Sequence, residues 1–411
     1  MTPPIRVLMS EGSSLSARES LTALGVAGFE IDVVDPNPLC LTRFSKWCSR
    51  RLSSPSFGSD PEGYLNRVVE LLAEQRYDVL YPAHEQAYLF ARYRERLTPA
   101  THVALPSFAV FERMQSKVGF ASVLDELGIP SAPTEIVHDE DALRRATRRL
   151  PAYVKVAFGT ATQGTFHVRT PDDLSVAIDA VRAVLDDGVL VQQPLEGQLG
   201  RTQAVFAAGR LVGFHACAQI EEGVGGGDLV KESIEAPIVR DHISHLGSHL
   251  RWHGGMSLDF ITDANGQPRF IDSNPRLAET GNGLASGVNL PELLVLVSLG
   301  REPAQCHVGR AGVRSFMAIQ GLLKAAKTTS SRRSVIRTVA DLVRHRRWFA
   351  SGSEELTPTR DDLRSLLPLA VVGSVLLAQP QAWKAFSSST VKAYAATPEV
   401  VAFAHQGDTA G

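Results

Sequence analysis

A chain of 411 residues with 44% hydrophobic and 21% charged residues can bury a sizeable core and has the length for two or three domains. Its formal charge of -2 gives no reason to expect a nucleic-acid partner. Cys40, Cys48, Cys217 and Cys306 show no CxxC or zinc spacing and read as reduced thiols, and Met1 to Arg6 lacks the pattern of a signal peptide, so a cytoplasmic protein is expected.

Ile5 to Met9 is a short apolar run, Ser14 to Gly25 has helical spacing with a glycine stop, and Glu30 to Val34 is a second strand ending at Asp35-Pro36. This strand-helix-strand order, with further strands expected at Tyr77 to Tyr81 and Val103 to Leu105, describes an α/β domain over residues 1–110. Ligands collect beyond the carboxyl ends of the strands in such sheets, where Ser13, Ser14, His84 and Glu85 fall. Those residues read as substrate contacts or as ordinary loop caps.

Lys117 opens a helical pattern, with Val118, Phe120, Ala121, Leu124 and Leu127 at three- and four-residue spacing and Gly128 ending it. Lys155 lies in the apolar frame Tyr153-Val154-Lys155-Val156, and a charge pointing inward from a strand is costly unless an anion meets it. A strand lysine facing water is the alternative. Gly159, Thr160, Ala161, Thr162, Gln163 and Gly164 carry little bulk, so their N–H groups could close over phosphates or simply connect a hairpin. The segment lacks the GxxxxGK[ST] pattern of a P-loop.

Gly225-Gly226-Gly227-Asp228 forms a mixed-charge loop before Lys231, which reads either as a phosphate contact or as a loop lysine in solvent. Asp259 then sits in an apolar run, and Asp263-Ala264-Asn265-Gly266 is turn chemistry that returns the chain along Arg269 to Asp272 and Asn274. Two carboxylates and an amide oxygen on paired strands are hard ligands that suit Mg²⁺ bound together with phosphates, Mn²⁺ being the other candidate. A surface hairpin with an acidic turn would look the same. Arg276 follows directly and has a planar fork suited to carboxylate or phosphate, and Glu279 to Pro291 is a Gly- and Asn-rich turn close to it.

Beyond about Gly312, Lys324, Lys327, Arg332, Arg333, Arg337, Arg344, Arg346 and Arg347 form a basic tract interleaved with Val335, Ile336, Val339, Leu342 and Val343. This reads as a basic amphipathic helix. Leu366 to Ala378 is uncharged but only 13 residues long and contains Pro368 and Gly373, too short for a membrane span. A helical subdomain docked on the core is the first reading, with peripheral membrane contact the second.

Four of these segments stand in the order found in ATP-grasp enzymes: MQSKVGFASVLDELGIPSAPT, YVKVAFGTATQG, VLVQQPLEG and FIDSNPR. From about Met114 to Gly300 the chain resembles an ATP-grasp carboxylate-amine ligase, of the carbamoyl-phosphate-synthase-like or D-alanine-D-alanine-ligase-like kind. The resemblance implies an N-terminal pre-ATP-grasp α/β domain (1–110), a two-lobed α+β ATP-grasp module (111–310) and a mainly helical C-terminal extension (311–411). It makes Lys117, Lys155, Gly159 and Gly164 contacts of the ATP phosphates, gives adenine to Gln192, Gln193 and Leu195, and gives the metal to Asp259, Asp272 and Asn274. Arg276 and Lys231 become catalytic. One position departs: a glutamate usually stands two residues after the linker glycine to hold the ribose, and here it is Leu199, with Glu196 or Gln198 as substitutes. The implied reaction activates a carboxylate as an acylphosphate and joins it to an amine, releasing ADP and phosphate, with amino acids or small peptides as substrates and a homodimer as the expected assembly. Carboxylation, carbamoyl phosphate synthesis and a non-catalytic envelope-associated scaffold are the alternatives.

Overall fold

The computed structural model describes residues 3–159, 164–388 and 394–406, and its strands form three sheets. The first contains β1 (Arg6–Met9), β2 (Glu30–Val34), β3 (Cys48–Leu52) and β4 (Val79–Tyr81), ordered β3-β2-β1-β4 with every pair parallel. Val7, Leu8 and Met9 are fully buried because both faces of this sheet are covered, which is why β1 reads as an unbroken apolar run. The helix Leu15–Val26 starts at Ser14, whose side chain accepts from the Ala17 N–H. Val103 to Leu105 is not a strand. Only His102 bridges Val79, and the Ala104 N–H turns away to Ser298 Oγ.

The second sheet contains β5 (Thr134–Val137), β6 (Ala152–Val156), β7 (Thr165–Val168) and β8 (Val189–Gln192), ordered β5-β8-β6-β7 and antiparallel throughout. It has its own small core, in which Val154 and Val191 meet Leu143 and Ile178 from two covering helices. The third sheet is eight-stranded. Its strands β9 (Gln198–Ala207), β10 (Arg210–Glu222), β11 (Asp228–Ser233), β12 (Gly254–Thr262), β13 (Pro268–Asn274), β15 (Arg314–Phe316) and β16 (Ser353–Glu354) run β13-β12-β9-β10-β11-β15-β16, and β14 (His307–Val308) pairs with β10. The predicted hairpin is β12-β13, with Gly266 at φ 78° in its turn.

The described residues beyond Gly312 are woven into this frame. β15 and β16 extend the large sheet, and the helix Pro398–His405 returns to the N-terminal part of the chain, where Val400 and Ala404 share an apolar cluster with Tyr88, Leu89 and Phe90. The basic tract is broken into the helices Ala318–Thr329 and Arg332–Val343 by Ser330, whose φ is 48°. Leu366–Ala378 is a helix that buries Val372 and Leu376 against Leu322, Leu323 and Val335 and leaves Leu367 and Val371 exposed. Among the described residues no helix is long and apolar enough to cross a membrane.

Candidate active site

The hairpin fixes three acidic or amide side chains on one face. Asp259 stands opposite Asp272 and Ser257 opposite Asn274, and residues two apart along a strand point the same way. Asp259 Oδ2 accepts from Arg201 Nη1 at 2.8 Å, while Arg201 Nε donates to Asp228 at 2.7 Å. Burial raises the Asp259 carboxyl above its ordinary range, with Arg201 opposing. At Asp272 burial also pushes upward, but Lys117, with Nζ at 3.6 Å, and Lys155 together outweigh it and hold the carboxyl low. Asn274 Oδ1 accepts from Arg276 Nη1 at 2.8 Å. Among the described residues no cluster of three or more His, Cys, Asp and Glu is arranged to hold a metal. Two carboxylates and an amide oxygen therefore suit a hard cation whose other ligands come from a bound anion.

Two cavities meet at this edge. The first, of about 350 Å³, is lined by Lys117, Lys155, Gly159, Gln192, Gln193, Leu195 and Leu199 as well as Asp259, Asp272 and Asn274. Lys155 is 8% exposed, and its Nζ donates to Gln192 Oε1 at 2.9 Å and to the Ile271 carbonyl at 3.1 Å. Burial lowers its pKa, and the nearby Asp272 charge opposes this. Lys117 Nζ donates to the Gly159 carbonyl at 3.1 Å. The Gln193 N–H is already used by the Pro133 carbonyl. Leu195 and Leu199 supply an apolar side, and Glu196 is exposed outside the cavity, so the substitution at 199 makes this wall greasy rather than acidic. Gly197 is required between them, since a Cβ there would lie 2.2 Å from the Thr262 carbonyl oxygen. Gly164 receives the Val156 N–H on its carbonyl and is not part of the lining. Thr160 to Gln163 lie outside the described residues.

The second cavity, of about 390 Å³, shares Asp259, Asp272 and Asn274 and adds Ser13, Ser14, His84, Arg201, Gln203, Gly225 to Gly227, Arg276 and Glu279. Arg276 is 6% exposed, with Nη2 3.1 Å from Glu85 Oε1 and 3.3 Å from His84 Nε2. Ser13 Oγ donates to Asp35, which keeps the loop after β1 against the cavity. Lys231 differs from its expectation. It lies within β11 rather than in a loop, lines neither cavity, and is 1% exposed between Glu355 at 2.9 Å and Glu279 at 3.1 Å. Burial alone would lower its pKa, but Glu355, Glu279 and Glu19 outweigh burial and keep it charged.

Sequence reading overlooked Arg201, Gln203 and Glu355. A charged residue among the small and apolar positions of β9 was a usable signal for Arg201. Glu355 had none, because its partner Lys231 lies far away in sequence and Glu355 itself falls in the extension expected to be mainly helical.

No protein-family profile and no curated protein sequence matches the chain. Solved structures do. The chain is similar to the biotin carboxylase domain of Hydrogenobacter thermophilus 2-oxoglutarate carboxylase in complex with MgADP, ADP and bicarbonate, with TM-score 0.59 and 19% identity over 75% of this chain and 73% of that one. It is similar to Campylobacter jejuni biotin carboxylase, with TM-score 0.58 and 17% identity over 75% and 74% of the two chains. It is also similar to Staphylococcus aureus N5-carboxyaminoimidazole synthetase complexed with ADP, with TM-score 0.59 and 14% identity over 79% and 86%. At identities of 14% to 19% these likenesses show the fold alone: the chain shares the architecture of these carboxylase and synthetase structures.

Proposed function

We propose that the chain is an ATP-dependent ligase that activates a carboxylate as an acylphosphate and joins it to an amine. The observation that carries this reading is the meeting of the two cavities at Asp259, Asp272 and Asn274, with lysines on one side and Arg276 on the other. ATP fits the first cavity, with its base toward Gln192, Gln193 and Leu195 and its phosphates toward Lys117, Lys155 and Gly159. Asp259, Asp272 and Asn274 would hold Mg²⁺, which when bound offsets phosphate charge. The neighbours solved with MgADP or ADP support this assignment.

Arg276, held by Glu85 and Asn274, orients the substrate carboxylate in the second cavity. A carboxylate oxygen attacks the γ-phosphorus and the bond to ADP breaks. The amine then attacks the acyl carbon, inorganic phosphate leaves, and the amine proton passes to water. The two lysines stabilise phosphoryl charge, and no covalent enzyme nucleophile is needed. Carboxylation of a substrate amine is the second reading, favoured by the names of the carboxylase and synthetase neighbours. ATP-dependent phosphate release screened across pairs of amino acids, and with bicarbonate, tests the choice. An amide by product mass supports ligation, and a product heavier by CO₂ refutes it.

A further inference from the structure

We propose that the larger cavity takes a carboxylic acid with an apolar aliphatic or aromatic side chain, its charged end at Arg276 and His84 and its apolar end beneath the C-terminal residues. This deepens the ligase reading of the same site and rests on it.

The polar end is marked by two unused donors. Arg276 has no acceptor, so His84 Nε2 must accept the contact from its Nη2 and the ring proton stands on Nδ1. Burial first, and the Arg276 charge second, hold His84 neutral. His84 Nδ1 and Arg276 Nε both lack a hydrogen-bond partner, although the residues are only 7% and 6% exposed. A buried donor without a partner costs free energy, and both side chains line this cavity, so its wall suits a group that only accepts, such as a carboxylate.

The other end is greasy. Ile319 and Leu323 lie one turn apart on the helix Ala318–Thr329, Val372 comes from Leu366–Ala378 and Phe386 from Trp383–Ser388. All four belong to the C-terminal residues, which are clamped to the rest of the protein. Glu355 reaches Lys231 at 2.9 Å, and Asp362 reaches Arg18 at 3.3 Å, each pair almost fully buried. Ile319, Leu323, Val372 and Phe386 share one apolar cluster, which forms the roof. A volume of about 390 Å³ lies within the roughly 300–1,000 Å³ of small-molecule sites. Bicarbonate would satisfy the donors and leave the apolar roof uncovered.

Calorimetric titration of the intact chain with bicarbonate, glycine, alanine, leucine and phenylalanine, in the presence of MgADP, tests the inference. Affinity should rise about 3- to 4-fold for each buried methylene, so that leucine binds at least tenfold tighter than alanine. Phe386→Ala and Ile319→Ala should each erase most of that preference and leave ADP affinity unchanged. Equal binding of alanine and leucine, binding of bicarbonate alone, or binding of none of the five overturns the proposal, and the wild-type series decides even where a variant fails to fold. The two readings fail separately. Size-dependent binding without ATP turnover keeps this inference and removes the ligase, whereas amide-forming turnover with no size preference does the reverse.

Discussion

Asp272→Asn separates a metal role from simple charge balance. Asp272 stands 3.6 Å from Lys117 Nζ, a Coulomb attraction of about 4–5 kcal/mol at an effective dielectric of 20. With the side chains 12% and 33% exposed, solvent screens that to about 1–2 kcal/mol, so the variant should fold with modestly reduced stability. Its cavity then holds one more net positive charge. Metal-free ADP should bind as tightly as before or tighter, whereas the Mg²⁺ concentration for half-maximal turnover should rise at least tenfold. Turnover should fall on the order of a hundredfold, equivalent to about 2.7 kcal/mol of lost transition-state stabilisation. Phosphate release titrated with Mg²⁺, alongside calorimetry of ADP with and without the ion, measures both effects. A folded variant with unchanged Mg²⁺ dependence would refute the assignment of Asp272 to the metal.

Glu11, buried beneath the Ser13–Ser14 loop, has its carboxyl pushed up to about 7, chiefly by burial. The folded chain therefore binds more protons than the unfolded one between pH 4.5 and 7, and this group's contribution to stability falls as pH rises, by at most about 3 kcal/mol. Glu11→Gln should flatten that slope in denaturant unfolding, and an unchanged slope contradicts the reasoning. Arg18→Met strands the buried Asp362 carboxylate and should cost about 3–5 kcal/mol, partly restored by adding Asp362→Leu; a loss below 1 kcal/mol would count against a buried pair. Deleting residues 312–411 removes β15, β16 and the helix Pro398–His405, so cooperative unfolding at the wild-type midpoint should be lost. The intact chain should not float with anionic vesicles, and flotation at low salt that disappears at high salt would establish the membrane reading instead.

The hairpin was legible because turn chemistry and two aspartates in apolar frames are local signals, and Lys117 through Gly128 was legible because the helix Lys117–Glu126 carries both its periodicity and its glycine stop. Ile5 to Met9 and Glu30 to Val34 were likewise legible as strands of a strand-helix-strand unit, and they form β1 and β2. Lys231 was misplaced because three glycines before it mimic a loop, whereas its strand is set by pairing with β10 and β15, partners that are remote in sequence. The C-terminal roof was equally hidden. Ile319, Leu323, Val372 and Phe386 look like ordinary helix-core positions, and only the packing of separate helices over the large sheet turns them toward a cavity.

The central claim is that a carboxylate attacks the γ-phosphoryl group of ATP. Turnover with a carboxylate labelled with ¹⁸O, followed by mass analysis of the released phosphate, tests it most directly. The account predicts one labelled oxygen in each inorganic phosphate, because the attacking oxygen leaves with the phosphoryl group when the amine displaces it. Unlabelled phosphate during confirmed turnover would contradict it.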